Sequence, residues 1–202
     1  MYNPHGPHTP TPMIRTHSRS PLAALLAGFA LLSSAAALTG CGANVFPVEV
    51  KGEATIDGDP SPIPGLLNAF PGISSFGNID FSQSQEFKNQ GVTKEEVDSV
   101  KPTFVRLQIV APDNQDFRFL EQLQFYARAG DNEVLVAEKL GIDRLDLKAP
   151  HPTLELDVKD VELQPYVTAP SMSIVVRGRG RQPANRTRLE ATVGFDVAVK
   201  VF

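Results

Sequence analysis

The chain has 202 residues, with 19 basic side chains against 23 acidic ones and a formal net charge of −4 at pH 7. That acidic balance argues against a general nucleic-acid binder. A single cysteine rules out an internal disulfide, and three of the four histidines (His5, His8 and His17) crowd the first residues, so the Cys/His cluster of a structural zinc site is missing from the rest.

In chain order the first feature is a leader. Met1 to Pro12 is rich in Pro and His, and Met13 precedes the basic Arg15 and Arg19, so Met13 is an alternative start. Leu22 to Leu38 is almost free of polar side chains, and Ala35-Ala36-Ala37 closes the run. A positive start, an apolar middle and small residues at the end make a secretory signal peptide over residues 1–40. A membrane-spanning helix is the other reading, but the run is marginal for the ~20 apolar residues a span needs.

Leu38-Thr39-Gly40-Cys41 resembles the lipobox of bacterial lipoproteins. The resemblance implies cleavage before Cys41 and a diacylglycerol thioether on its sulfur, often with a third chain on its amine. One acyl chain binds a membrane only marginally, while two or three hold a protein in one leaflet. The inner-membrane sorting signal of that family is an Asp after the cysteine. Gly42 stands there instead, which favours the outer membrane. Residues 41–45 become a lipidated tether, and residues 46–202 the folded domain. The leader removes Arg15 and Arg19, leaving 17 basic against 23 acidic side chains, a net −6.

The domain reads as all-β. Phe46, Val48, Val50, Ala54 and Ile56 alternate with Pro47, Glu49, Lys51, Glu53 and Thr55, the period of a half-buried strand. Gly52 falls on the apolar side and marks a bulge or a close approach. Asp57-Gly58-Asp59-Pro60 ends this strand. A long irregular stretch to about Gly77 carries four prolines and the apolar Ile63, Leu66, Leu67, Phe70, Ile73 and Phe76. It is read either as a loop packed over the core or as an exposed flap for a partner, with Ile63, Leu66, Leu67 and Phe70 as its contacts. A short strand is expected within Ile79–Phe87. Thr93 and Glu96 have the spacing of a capping box, so a short helix is expected over Lys94–Val100, stopped by Pro102.

Strands at Phe104–Ala111, Phe117–Ala127 and Glu133–Lys139, separated by turn residues, read as a meander. Leu154, Leu156 and Val158 alternate in a further strand, Pro165-Tyr166 turns a corner, and Met172, Ile174 and Val176 follow. In the last strand, Leu189 to Val201, every second residue is apolar, so it is expected at the centre of a sheet. Seven or eight strands and one short helix predict an antiparallel, immunoglobulin-like β-sandwich, with a barrel as the alternative. The region after Cys41 also resembles bacterial lipoproteins of unassigned activity with that repeated-strand pattern.

Chemistry is sparse. His151 is the one histidine after the leader, and no G-x-S-x-G, Walker or dinucleotide glycine motif accompanies it. The aspartate pairs Asp113/Asp116, Asp143/Asp146 and Asp157/Asp160 lack EF-hand spacing. No cofactor, metal or catalytic residue is assigned. The strongest cluster is basic: Arg177, Arg179, Arg181, Arg186 and Arg188 flank one expected hairpin. Guanidinium forks suit phosphate and carboxylate, so the cluster is read either as an exposed hairpin kept soluble by charge or as a contact for lipid head groups, lipopolysaccharide, peptidoglycan or an acidic envelope protein. The sequence therefore predicts an exported, lipid-anchored, non-enzymatic binding or structural module. A subunit of an envelope secretion or transport assembly is the alternative, with an envelope hydrolase further behind.

Overall fold

The computed structural model describes residues 44–200 except 62, 68 and 69. The leader and residues 41–43 lie outside the described residues, whereas Asn44 and Val45, expected in the tether, already pair with Val199 and Ala198 as the start of the first strand.

Two antiparallel sheets form the domain. One has the order β1 (Asn44–Ile56), β9 (Thr187–Val199), β3 (Val97–Ala111), β6 (Thr153–Glu155). The other has the order β2 (Leu66–Leu67), β8 (Ser173–Arg181), β4 (Leu120–Ala129), β5 (Asn132–Leu140), β7 (Asp157–Val158). The all-β antiparallel sandwich read from the sequence is what the chain forms. The pairs β1–β9, β2–β8, β3–β6 and β4–β5 nest inside one another, as though one long hairpin had been rolled up. That nesting is the jelly-roll connectivity, one of several strand orders the sandwich architecture accepts.

Alternation explains the strands. In β1 the even residues Phe46, Val48, Ala54 and Ile56 are buried and the odd ones face water. In β9 Leu189, Ala191, Val193, Phe195, Val197 and Val199 are buried, and the strand runs between β1 and β3. β4 and β5 form the expected hairpin around Gly130, whose φ of 57° suits a tight turn.

Several local expectations change. The segment expected as a strand at Ile79–Phe87 instead carries a 3₁₀ turn (Phe81–Gln83) and helix α1 (Gln85–Gln90). Ser84 caps α1 by accepting from the Phe87 amide, and Gly91 closes it in the left-handed conformation. The capping box at Thr93 and Glu96 is present, but it opens only a 3₁₀ turn (Lys94–Glu96), because β3 starts at Val97. Pro102 sits inside β3 at a register shift, where a missing ladder donor is tolerated. The expected meander is broken, since β3 lies in one sheet and β4 and β5 in the other. Likewise Leu154 and Val158 belong to different sheets, with the chain changing sheet at buried Leu156. Pro165 and Tyr166 lie in a single helical turn, α2 (Gln164–Val167). No helix among the described residues is long and apolar enough to cross a membrane.

The core is dense in phenylalanine. Phe87 meets Phe46 edge-on with ring centroids 5.4 Å apart, and Phe81 bridges Phe87 (6.0 Å) and Phe195 (5.7 Å). Each such pair contributes about 0.5–1.5 kcal/mol beyond area burial. The irregular stretch after β1 folds inward. Phe70, Ile73 and Phe76 are buried, and the Ser75 hydroxyl donates to the Lys51 carbonyl at 2.9 Å. Gly52 makes this possible: a Cβ there would sit 2.3 Å from Ile73 Cγ2. The glycine is a close approach. Lys51 therefore turns its backbone to the outer edge of β1, and Pro47, of the same parity, puts its missing donor on that edge too.

The opposite edge of the same sheet is closed by a side chain. The Glu162 carboxylate accepts from the Val100 amide (2.7 Å), the Ser99 hydroxyl (2.7 Å) and the Gln164 amide (2.9 Å), and the Leu163 amide donates to the Val100 carbonyl. Burial pushes the Glu162 carboxyl up, but these three donors outweigh it and hold it below the ordinary glutamate range. A depressed pKa contributes stability that is present above the unfolded value, about 4.3, and lost as pH falls through the folded one. Glu162→Ala is expected to cost about 1–3 kcal/mol, by leaving the Val100 amide without its acceptor. It should also flatten the acid limb of stability below about pH 4.5 relative to the parent. Urea unfolding at pH 7 and pH 4 checks both, and equal losses at the two pH values would sink the second claim.

Candidate functional site

The five arginines do not share one hairpin. β8 and β9 lie in different sheets, so the 182–186 loop crosses the end of the sandwich instead of turning within a sheet. Arg177, Arg179 and Arg181 project from the outer face of β8, while Arg188 lies on β9 in the other sheet, opposite Thr55 and Ala111. The expectation that Arg186 and Arg188 return beside the other three is therefore corrected.

The motif Arg-Gly-Arg-Gly-Arg has a packing cause. With period two, the arginines face out and the glycines face in. Gly178 admits the Phe70 ring and Gly180 admits the Phe119 backbone. Outward, Arg177 lies over the Tyr126 ring at 4.3 Å and pairs with Glu133 at 2.7 Å. Arg128 also holds Glu133, at 2.6 Å, and its hydrogen bond is the main cause that keeps the Glu133 carboxyl below its ordinary range. Arg179 pairs with Glu121 at 3.2 Å, and Arg186 with Asp57 at 3.7 Å. Arg181 donates to the Pro64 carbonyl at 3.5 Å and has no carboxylate partner among the described residues.

The apolar flap splits in two. Leu67 and Phe70 are buried and belong to the core, so they are corrected as partner contacts. Ile63 and Leu66 are exposed. Leu66 pairs with Arg181 in the register of β2 and β8. The bend before it is held by Asp59, which accepts from Ser61 and from the Gly65 amide at 2.8 Å. The Ser61 hydroxyl is the main cause that keeps the Asp59 carboxyl low.

The acidic pairs are dispersed into ion pairs. Asp116 meets Arg118, Asp143 meets Arg144, Asp146 meets Lys148, Asp157 meets Lys139 and Asp160 meets Lys101. His151 contacts the Ile109 carbonyl through Nδ1 at 3.3 Å, and its Nε2 lies 3.5 Å from Asp113. Among the described residues no three His, Cys, Asp or Glu side chains are grouped to hold a metal ion.

Sequence reading missed Leu140 and Arg144. They line a depression of ≈ 420 Å³ with Glu121, Gln122, Gly141, Asp143 and Arg179. The only signal was a leucine at a strand end, directly before Gly141, just beyond the strand expected over Glu133–Lys139. Its register partner, Gln122, shows that it faces outward.

No protein-family model matches this chain, and no curated protein matches it. Among solved structures, the 60-mer capsid protein of BFDV is similar at a TM-score of 0.30 and 10% identity, over 77% of this chain and 94% of the capsid chain. At that TM-score the likeness carries no argument.

Proposed function

We propose that this chain is a lipid-anchored protein of the bacterial cell envelope whose sandwich is a non-enzymatic binding or structural module. The observation that carries the reading is the lipobox-like Leu38-Thr39-Gly40-Cys41, followed almost at once by β1 at Asn44. Only Gly42 and Ala43 intervene, so Cys41 and Asn44 are three steps apart, a reach of roughly 10 Å at full extension. A lipidated Cys41 would hold the start of β1 against the bilayer, and Gly42 favours the outer membrane. One observation favours the alternative of a subunit in an envelope secretion or transport assembly: of the four exposed large apolar side chains among the described residues, Ile63, Leu66 and Leu140 lie at the end of the sandwich away from Asn44.

Labelling cells with an alkyne palmitate analogue tests the anchor. The parent chain is expected to take the label and stay with membranes through an alkaline wash. Cys41→Ser should lose the label entirely and most of its membrane fraction. A parent without label, or a Cys41→Ser chain that keeps it, would end the lipid reading.

A further inference from the structure

Asn44 and Val97 both pair with Val199, so the starts of β1 and β3 and the end of β9 define one pole, beside the tether. Ile56 pairs with Thr187 at the opposite pole. The short 182–186 loop brings the end of β8 to that far pole, and with it Arg181 and its register partner Leu66. Through β4, Gln122 pairs with both Arg179 and Leu140. Leu66, Arg181, Arg179 and Leu140 thus share the outer face of one sheet near the far pole. Strand spacing of about 4.8 Å and a rise of about 3.3 Å per residue put Leu66 and Leu140 roughly 16 Å apart, within one partner's footprint.

Among the described residues, four large apolar side chains are exposed: Val45 (54%), Ile63 (82%), Leu66 (66%) and Leu140 (60%). Val45 adjoins the tether, and the other three belong to the far pole. The outer face of the other sheet carries none of those three, and its outward residues around Arg106 are polar: Gln108, Thr153, Glu155, Glu190 and Thr192. The cations of the far-pole face are arginines. Arg181 has only a carbonyl, and the pairs of Arg179 with Glu121 and of Arg144 with Asp143 (4.0 Å) are exposed, so water screens them. Each guanidinium has five donors, so a partner carboxylate that excluded water can be added to Arg179, Arg181 or Arg144 while Glu121 and Asp143 keep their own pairs. Exposed leucine and isoleucine side chains among arginines, beside a ≈ 420 Å³ depression, join an apolar patch to guanidinium forks, and of these the arginines are the residue type enriched at protein interfaces. Sugar stacking is disfavoured on this sheet's outer face, because Arg177 lies over the Tyr126 ring.

We infer that the far-pole face around Leu66, Leu140, Arg144, Arg179 and Arg181 docks a partner protein through a segment bearing carboxylates among apolar side chains. This deepens the binding-module reading by naming its surface and the chemistry of its partner.

The test places benzoylphenylalanine in turn at Leu66, Leu140 and Thr192 in the full-length chain, with illumination in the native host and mass spectrometry of the adducts. The expected result is one protein adduct of the same mass at Leu66 and Leu140, absent at Thr192. The partner peptide should contain Asp or Glu beside apolar residues, and Arg179→Glu with Arg181→Glu should cut the yield at least tenfold without shifting the melting temperature by more than a few degrees. No adduct, an adduct of twice the chain mass, lipid adducts alone, a basic partner peptide, or a yield indifferent to charge reversal overturns the inference. Repeating the crosslink with purified Cys41→Ser protein and a detergent extract keeps this result separate from the anchor: failure of palmitate labelling sinks the lipid reading and leaves this test intact.

Discussion

Gly180→Ala is expected to lower stability by about 3 kcal/mol or more, whereas Gly178→Ala, two residues earlier on the same inward row, should cost no more than about 1 kcal/mol. The two glycines have the same role in the sequence and different neighbours in the fold. A Cβ at Gly180 would stand 2.1 Å from the Phe119 carbonyl oxygen and 2.9 Å from the Leu120 Cα. Both are backbone atoms, next to a register shift between Leu120 and Gln122. Moving them breaks the bond that the Arg181 amide donates to the Phe119 carbonyl at 2.7 Å, and with it the end of β8. At Gly178 the nearest atoms are 3.1 Å away on the Phe70 ring and 3.2 Å away on Leu123 Cδ1. Those side chains can give by a few tenths of an ångström. In a domain of this size the Gly180 loss corresponds to a fall in melting temperature of roughly 6–12 °C. Urea and thermal unfolding of the two single variants decide it, and matching midpoints would refute the distinction.

The same stretch shows what the sequence could and could not carry. Period two told correctly that Arg177, Arg179 and Arg181 face one way and Gly178 and Gly180 the other. It could not tell that Pro183-Ala184-Asn185 is a bridge between sheets, because turn residues serve a hairpin and a crossover alike. For that reason Arg188 was expected beside Arg181 and lies instead on the other sheet, next to Thr55. Leu154, Leu156 and Val158 repeat the lesson. Their alternation is regular, yet Leu154 pairs with Leu107 and Val158 with Ala137. Periodicity reports which face is buried, not which neighbour buries it. The helices failed for a different reason. Thr93 and Glu96 do form their capping box, but Val97, Val100 and Val105 after it are β-branched and continue as a strand. The signals for α1, Ser84 as cap and Gly91 as stop, were in the chain and were outweighed by the apolar spacing of Ile79, Phe81 and Phe87. For the candidate surface, exposed Ile63 and Leu66 could not be separated from buried Leu67 and Phe70 without knowing that β2 pairs with β8.

Ending the chain after Phe195 is expected to abolish the native fold, because β9 is bonded on both sides. Its last turns of ladder pair Val197 with Phe46 and Val199 with Asn44 in β1, and the same two residues with Val100 and Val97 in β3. Val197 and Val199 are buried, and each contributes about 1.5–3 kcal/mol by leaving water. Their loss also takes the ladder partner from Phe46, whose ring packs on Phe87, and it removes the bond from the Lys200 amide to the Glu96 carbonyl. Against a total stability of about 5–15 kcal/mol, the hydrophobic term alone takes a large fraction, and the unpaired ends of β1 and β3 take more. Val197→Asp should come close to the truncation, since it buries an unpaired charge at the same place. Asp196→Ala, on the outward face one residue away, should stay within about 0.5 kcal/mol. Near-ultraviolet circular dichroism and urea titration of the three chains separate the effects. A truncated chain with a cooperative transition near that of the parent would mean that β1 and β3 can close the sheet without the end of β9, and the pole beside Asn44 would then owe its order to something other than this strand.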